Sequence, residues 1–213
     1  MLSSRTHPVI GLAALLSLLT GFSATAEARV VGPQVSPVQS LADASPTTVV
    51  ADGLSTATLT VTLLDAAQSP IAGETVEFSA SGSDNILTQP AGTTDASGMA
   101  TGSIASTKAE LKTITVTVDP LGAAIVLNAQ PTVDFVPGPV SDEISTVDIS
   151  PVGTFVANGS DIASITVTLV DENMNPIEGE TFEVQVSGSN NIFVGPGGAT
   201  DAAGVESAIM TST

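Results

Sequence analysis

The chain repeats itself, and this repetition limits the folds open to it more than any other feature. Residues 51–107 recur as residues 157–213 after a shift of 106 positions without a gap, with 27 identities in 57 positions. Such self-similarity predicts a tandem array in which each copy builds the same supersecondary unit. A chain of 213 residues has room for two domains of about 100 residues, each with its own core.

Both copies carry the same landmarks in the same order. These are a two-residue turn, a Thr-rich strand, a Pro-Ile-x-Gly-Glu-Thr segment, a Ser-Gly-Ser segment and a Thr-Asp-Ala-x-Gly turn. The regular return of turn residues between short apolar runs indicates a β-rich fold. The landmarks begin at Asp52, Thr58, Pro70, Ser81 and Thr94 in the first copy, and at Asn158, Ser164, Pro176, Ser187 and Thr200 in the second.

Several segments alternate apolar and polar residues with a period of two. In residues 58–63 the apolar side chains fall on one face and the threonines on the other, which is typical of a half-buried strand of a sandwich. The fold class predicted is all-β, with tandem sandwiches. The residues predicted to face inward are Leu59, Val61, Leu63, Val76, Phe78, Ile114, Val116 and Val118, with Ile165, Val167, Leu169, Phe182, Val184 and Val186 in the second copy.

Two turns carry specific expectations. Asp52-Gly53 lies between residues 49–50 and 58–63, a pattern that predicts a β-hairpin with a type I′ turn. At residues 94–98 the Asp95 side chain is expected to accept a backbone N–H two residues on, with Gly98 at positive φ. The strand that follows, residues 99–106, consists of small residues, and its inward face stays open at this stage.

Composition excludes several classes of function. The chain has 4 basic and 22 acidic residues, and residues 141–213 contain no Lys or Arg, so binding to nucleic acid or to anionic lipid through a basic patch is not expected. It has no Cys, and His7 is the only His. We therefore expect no His- or Cys-based nucleophile system and no ordinary zinc site, and we predict that the protein is not an enzyme and has no cofactor.

The N-terminus has the pattern of a secretory signal peptide, predicted at residues 1–28. Arg5 supplies the positive charge, residues 9–19 the apolar segment, and Ala24-x-Ala26 or Ala26-x-Ala28 the cleavage site. The apolar segment is shorter than the roughly 20 residues that a membrane-spanning helix needs, which disfavours the alternative of an uncleaved anchor. The sequence predicts export to the extracellular space or the cell surface, associated with the outer membrane, with the periplasm as an alternative.

The predicted domains are residues 29–138 and residues 139–213, joined by the Pro-rich segment 136–140. Two prolines in five residues favour an extended, stiff linker. In the register of the repeat, the counterpart of residues 108–135 falls after Thr213, so the second domain is expected to be incomplete. We expect further repeats or an anchor beyond Thr213; the alternative is that another chain supplies the strands.

With these landmarks in place, the chain resembles the group 1 bacterial immunoglobulin-like (Big-1) domains of the intimin and invasin family of adhesins. The matching segments are residues 52–63, 70–78 and 94–98, together with their counterparts in the second copy. The resemblance implies immunoglobulin-like sandwiches that act as spacers and hold a binding region away from the cell. The outer-membrane barrel and lectin-like tip of the better-known members do not occur in this sequence, so a stalk segment is the function that the resemblance implies.

One segment has the spacing of a calcium loop. Asp171, Asn173 and Asn175 match the D-x-N-x-N opening of an EF-hand, but Pro176 occupies the position that needs Gly, and the first copy has no equivalent ligands. We treat them as weak metal candidates, with a solvated loop as the preferred interpretation. An ion held at the domain joint by Asp142 and Glu143 is a weaker alternative.

Two further patterns have simpler interpretations. The sequon at Asn158 aligns with Asp52-Gly53 and coincides with a predicted hairpin turn. The pairs Glu74/Glu180 and Glu77/Glu183 alternate with inward residues, so these carboxylates are expected to face solvent. Two functions therefore remain open: a non-enzymatic spacer of an adhesin-type surface protein, or a module that binds a host protein, a glycan or calcium. An accessory region of a secreted enzyme would require a catalytic domain downstream.

Overall fold

The computed structural model describes residues 34–119 and 121–213, and every regular element within these ranges is a β-strand. The predicted signal peptide, residues 1–28, lies outside the described residues. The all-β prediction is confirmed. In chain order the strands are β1 (Leu41–Ser45), β2 (Thr48–Val50), β3 (Ala57–Thr62), β4 (Val76–Ala80), β5 (Asn85–Thr88), β6 (Met99–Ser106), β7 (Leu111–Val118), β8 (Ile125–Val126), β9 (Thr132–Val136), β10 (Thr146–Ser150), β11 (Ala163–Thr168), β12 (Asn191–Val194) and β13 (Val205–Ser212).

Strands β1 to β9 form a sandwich of two sheets, which we call the first sandwich. One sheet has the order β1-β3-β6-β5, and the other has the order β2-β9-β7-β4 with β8 beside β7. All pairs are antiparallel except β2 with β9. Buried apolar side chains from both sheets form one cluster, as in an immunoglobulin-like domain.

The inward faces predicted for the first sandwich are confirmed. Leu59, Val61 and Leu63 have no exposed surface, and Phe78 is 2% exposed. Burying side chains of this size provides the main drive for folding, at about 1.5–3 kcal/mol each. The remaining predicted inward residues, Val76, Ile114, Val116 and Val118, are also buried.

Strand β6 is built from small residues because a ring from the opposite sheet occupies the space beside it. Ala100 and Ile104 are buried and lie on either side of Gly102. A Cβ atom at Gly102 would lie 2.9 Å from the ring of Phe78. The inward face of β6, which the sequence left open, therefore contains Ala100, Gly102 and Ile104.

The hairpin predicted at Asp52-Gly53 is wrong. Strand β2 pairs in parallel with β9 in one sheet, and β3 pairs with β1 and β6 in the other, so the segment crosses between sheets. Asp52 still organises the turn, because its Oδ1 accepts the N–H groups of Leu54 at 2.8 Å and Ser55 at 2.6 Å. Only Gly53 of the pair has positive φ, whereas a type I′ turn requires it at both positions.

The turn predicted at residues 94–98 is confirmed. Asp95 Oδ1 accepts the N–H of Ser97 at 2.8 Å and that of Met99 at 2.9 Å, and Gly98 has a φ of 76°. The Gly98 carbonyl accepts the N–H of Leu63 at 2.8 Å. The turn therefore fixes the start of β6 against the end of β3.

The second copy repeats one sheet of this sandwich, with the order β10-β11-β13-β12. Strands β11, β12 and β13 begin 106 positions after β3, β5 and β6, so the sequence repeat is also a structural repeat. Ile165 and Val167 are buried as predicted, and Leu169 is half-buried.

The second inward set, Phe182, Val184 and Val186, is half-buried and belongs to no strand of the described residues. Its counterpart in the first copy is β4, which is held by pairing with β7. In the repeat register the counterpart of β7 falls after Thr213, so residues 182–186 have no ladder partner in the described part of the chain.

Candidate functional site

The loop after β11 is organised by one carboxylate. Asp171 Oδ1 accepts the N–H groups of Asn173 and Asn175, both at 2.9 Å. The backbone N–H of Asp171 in turn donates to the Asn175 carbonyl at 3.0 Å, and Met174 turns the chain with a φ of 62°. Short Asx side chains favour such closed turns because they bond to nearby backbone groups.

Asn175 connects this loop to the first sandwich. Its side chain is completely buried; Oδ1 accepts the N–H of Ala109 at 2.8 Å, and Nδ2 donates to the Thr107 carbonyl at 2.9 Å. A carboxamide has the same donor and acceptor as a peptide group. Asn175 therefore satisfies the backbone hydrogen-bonding groups of the segment between β6 and β7, as a neighbouring strand would.

Two further hydrogen bonds join this loop to the linker and to the first sandwich. Asp171 Oδ2 accepts the N–H of Gly138 in the linker at 2.8 Å, and it also accepts Asn175 Nδ2 at 2.9 Å. Asn173 Nδ2 donates to the carbonyl of Ala51 at 3.0 Å. We call Asp171, Asn173 and Asn175, with these partners, the junction lock.

The structure therefore brings together the three residues that the sequence singled out as weak metal candidates, but their polar atoms meet backbone groups. Whether they also bind a cation stays a prediction. In the part of the chain that the structure describes, no three His, Cys, Asp or Glu side chains form a cluster able to hold a metal ion. Asp142 and Glu143 are exposed at the start of the second copy.

The pKa of Asp171 lies below the ordinary value of an aspartate. Burial is the largest single influence and raises the pKa, but hydrogen bonds from the Asn175 side chain and from the N–H groups of Gly138, Asn175 and Asn173 together outweigh it. The lock therefore favours the charged carboxylate.

This lowered pKa predicts that the junction weakens in acid. A depressed pKa contributes stability in full above the ordinary value of 3.8, and the contribution is lost as the pH falls through the lower folded-state pKa. We expect the difference in denaturation midpoint between the native chain and Asp171→Asn to be constant near neutral pH and to shrink only below about pH 4. Urea titrations of both chains at a series of pH values measure it. A difference that already shrinks near pH 6 would contradict the assignment to Asp171.

The first copy has the same loop without the connecting side chains. Asp65 Oδ1 accepts the N–H groups of Ala67 and Ser69 at 2.8 Å, and Gln68 has a φ of 63°, matching Asp171 and Met174. Ala67 and Ser69 replace Asn173 and Asn175. A comparison of the two copies in the sequence could therefore have identified the lock, because two amide side chains are present in the second copy and absent from the first.

A buried lysine lies near the same end of the first sandwich, and sequence reasoning missed it. Lys112 is completely buried, and its Nζ donates to the Ser83 carbonyl and to the Glu110 carboxylate. The hydrogen bond from Lys112, with help from the Ser83 N–H, lowers the pKa of Glu110. The alternation of β7 could have revealed it, because continuing the period of two from Ile114 towards the start of the strand places Lys112 on the inward face.

A cleft of about 490 Å³ opens beside the lock. Its walls combine apolar side chains of both copies with carboxylates at the rim. The apolar residues include Ala109, Val136, Pro176 and Ile177, and the carboxylates are Glu110, Asp134, Glu178 and Glu180.

The other candidate carboxylates face solvent or lie at the surface. Glu77, Glu180 and Glu183 are exposed, and Glu74 is half-buried. Asn158 lies in a turn, with its Oδ1 accepting the N–H of Ser160 at 2.8 Å. The tight hairpin predicted there is wrong, because β10 ends at Ser150 and β11 begins at Ala163. The described residues contain no helix long and apolar enough to cross a membrane.

Comparisons with known proteins agree with this architecture. The model of the bacterial Ig-like domain (group 1) family matches residues 39–136. A search of curated protein sequences gave no significant match.

Three solved structures are similar to the chain over 84% of its length. Invasin, described as a bacterial integrin-binding protein, is 24% identical with a TM-score of 0.60, and the match covers 35% of its chain. InvD of Yersinia pseudotuberculosis is 22% identical with a TM-score of 0.57 and is covered over 50%. The Escherichia coli adhesin FdeC is 15% identical with a TM-score of 0.53 and is covered over 56%.

These likenesses show the fold, and the chain spans only about a third to a half of the length of these structures. The family match covers the first sandwich from before β1 to the end of β9. Residues 39–136 therefore form a group 1 bacterial immunoglobulin-like domain, as the resemblance to that family predicted.

Proposed function

We propose that this chain is a stalk segment of an exported bacterial surface protein, in which immunoglobulin-like domains in tandem hold a distal binding region away from the cell. The domains proposed are residues 29–138 and 139–213, after a signal peptide at residues 1–28. The junction lock carries the proposal. A spacer keeps its length only if its domains do not swivel, and domains in one chain move relative to each other unless their interface restrains them.

The lock suits this purpose because its side chains bond to three separate segments of the chain. Asn175 binds the turn after β6, Asp171 binds the linker at Gly138, and Asn173 binds Ala51 ahead of β3. A rotation that preserves one bond breaks another. Two of the three side chains, Asp171 and Asn175, are buried, so their hydrogen bonds face little competition from water.

The proposed role is mechanical and involves no catalysis. The chain after the signal peptide has no His and no Cys, which supports a protein without acid–base or nucleophilic chemistry of the usual kinds. The likeness to the adhesin FdeC and to invasin supports an adhesion-related protein. By the same likeness, a host surface receptor is the proposed partner of a region beyond Thr213, and further repeats or an anchor would lie there too.

Export is tested by the mass of the mature protein. We expect the product of the native gene to lose residues up to Ala26 or Ala28 and to reach the cell surface or the medium. Intact-mass measurement of surface and cytoplasmic fractions tests the removal of the signal peptide and the location of the product. The coding DNA after Thr213 tests whether further repeats or an anchor follow. A cytoplasmic product that keeps Met1 would contradict export.

Rigidity is tested by fluorescence transfer across the junction. The chain has no Cys, so Thr101→Cys on β6 and Ser207→Cys on β13 give two unique labelling sites, and both positions are exposed. We expect a single narrow distance distribution for the native junction. A broad distribution in the native chain would overturn the proposal of a stiff spacer.

The matched control uses the repeat itself. Asn175→Ala removes the central amide of the lock and is expected to broaden the distribution. Ser69→Ala changes the counterpart residue in the first copy, whose backbone N–H bonds to Asp65 and whose hydroxyl makes no hydrogen bond among the described residues, and is expected to leave the distribution narrow.

The cleft beside the lock favours a second function, a ligand-binding module. Its carboxylate rim and apolar walls suit a ligand that combines positive charge with apolar groups. Melting the chain with calcium, with glycans and with cationic peptides separates the two functions, because specific binding to the folded state raises the midpoint. A pure spacer gives no shift.

A further inference from the structure

Lysine and arginine are so rare in this chain that a protease specific for them has very few targets. After the predicted signal peptide the only basic residues are Arg29, Lys108 and Lys112. Lys112 is completely buried inside the first sandwich, whereas the Lys108 side chain is exposed. Among the described residues, Lys108 is therefore the one accessible recognition residue for a trypsin-like protease, which selects a basic side chain before the bond it cuts.

The peptide bond after Lys108 is nevertheless masked. Its nitrogen, the N–H of Ala109, donates to Asn175 Oδ1 at 2.8 Å, and the Thr107 carbonyl on the other side of Lys108 accepts Asn175 Nδ2 at 2.9 Å. The Lys108 carbonyl accepts the hydroxyl of the buried Ser106 at 3.1 Å. The three backbone groups nearest to this bond, the Thr107 and Lys108 carbonyls and the Ala109 N–H, are therefore already hydrogen-bonded.

A protease binds its substrate as an extended segment, using backbone hydrogen bonds, and must reach the scissile carbonyl. Asn175 bonds the backbone on both sides of Lys108, so this segment cannot leave the first sandwich to enter a protease while the two bonds last. Both of its bonds come from the second copy, so they are lost when the second copy moves away from the first sandwich. The Ser106 bond belongs to the first sandwich and gives only local protection.

We propose that the Lys108–Ala109 bond is a latent cleavage site for a trypsin-like protease, masked by Asn175 and cut only when the second copy undocks. This rests on the junction proposed above for the stalk. Cleavage is a hydrolysis: water adds its oxygen to the Lys108 carbonyl carbon, the carbon–nitrogen bond breaks, and Ala109 becomes a free amine. No oxidant or cofactor takes part.

Cleavage at this site nicks the stalk without releasing the second copy at once. The bond lies between β6 and β7, and β7 pairs with β4, while β9 pairs with β2. These pairs join the two fragments, so the nicked chain stays associated under native conditions. A cut after Lys108 thus identifies chains in which the second copy has undocked from the first sandwich.

The experiment is a trypsin time course on the full chain, followed by denaturing gel and intact mass. We expect slow cleavage after Lys108 in the native chain and cleavage at least about tenfold faster in Asn175→Ala, because proteolysis follows the population of the open form. Ser69→Ala should be cut at the native rate. Lys108→Gln in the Asn175→Ala background should remove this cleavage.

Several outcomes overturn the proposal. Cleavage of the native chain as fast as that of Asn175→Ala shows that no mask exists, and unchanged cleavage in Asn175→Ala shows that Asn175 is not the mask. Cleavage after Lys112 reports unfolding of the first sandwich, since Lys112 is buried there. Asn173→Ala is a milder change, because it removes only the bond to Ala51, and it should accelerate cleavage after Lys108 less than Asn175→Ala does. If both variants are cut at the native rate, the proposal is overturned.

The fluorescence measurement on the same variants separates this inference from the stalk proposal. A broad distance distribution in the native chain defeats the stiff stalk itself. A narrow native distribution that broadens in Asn175→Ala, with no change in the cleavage rate, supports the stalk and defeats only the latent site.

Discussion

Asp171→Asn is expected to lower the unfolding free energy of the docked second copy by about 2–4 kcal/mol, because it leaves buried donors without acceptors. In one orientation the new NH₂ group faces the N–H of Gly138 and the Asn175 Nδ2, which are both donors. In the flipped orientation it faces the N–H groups of Asn173 and Asn175. Neither orientation restores all four bonds. Urea denaturation, followed by fluorescence transfer across the junction, measures the loss.

Asp65→Asn in the first copy is the matched control. Asp65 Oδ1 accepts the N–H groups of Ala67 and Ser69, and an asparagine oxygen can accept both. Its second oxygen accepts no hydrogen bond from the described residues, so the change is expected to cost less than about 1 kcal/mol. Equal losses in the two variants would show that Asp171 acts only within its own loop and does not hold the junction.

The inward faces of the first sandwich could be predicted because they depend on local alternation. Leu59, Val61 and Leu63 are buried wherever the strand pairs, since a period of two places them on one face of any sheet. The same holds for the turn at Asp95, whose hydrogen bonds all lie within five residues.

The pairing of strands could not be predicted in the same way. Asp52-Gly53 has the local chemistry of a hairpin turn, and it does form a turn, but β2 and β3 enter different sheets. The choice is made by β9, more than 80 positions later in the chain, which offers β2 a parallel partner. Turn residues specify a reversal or crossing of the chain and do not specify which strands meet after it.

The junction could be predicted in part. The spacing of Asp171, Asn173 and Asn175 identified a group of polar residues, but calcium loops and Asx turns place oxygen ligands at the same spacing. The comparison that separates them is internal: Asp65 keeps the turn while Ala67 and Ser69 lack the amides. Their distant partners, Thr107 and Ala109, are known only from the fold.

Gly98→Ala is expected to lower the unfolding free energy of the first sandwich by about 2–5 kcal/mol. Gly98 has a φ of 76°, which already costs an alanine about 1–2 kcal/mol. In addition, a Cβ atom would lie 2.5 Å from the Leu63 carbonyl oxygen and 3.1 Å from the Ile71 nitrogen. These two atoms are hydrogen-bonded to each other at 2.9 Å, so the backbone there cannot move without breaking a bond. Thermal or urea denaturation measures the loss.

Gly73→Ala isolates the steric part of this effect. Gly73 has a φ of 86°, but a Cβ atom there would meet nothing within 4 Å, so only the conformational cost of about 1–2 kcal/mol is expected. The second copy provides a replicate, because a Cβ atom at Gly204 would clash with the Leu169 carbonyl oxygen, whereas one at Gly179 would meet nothing within 4 Å. If Gly98→Ala and Gly73→Ala cost the same, contact with the Leu63 carbonyl is not what requires glycine. A larger loss at Gly98 and Gly204 would show that the same backbone contact fixes this turn in both copies.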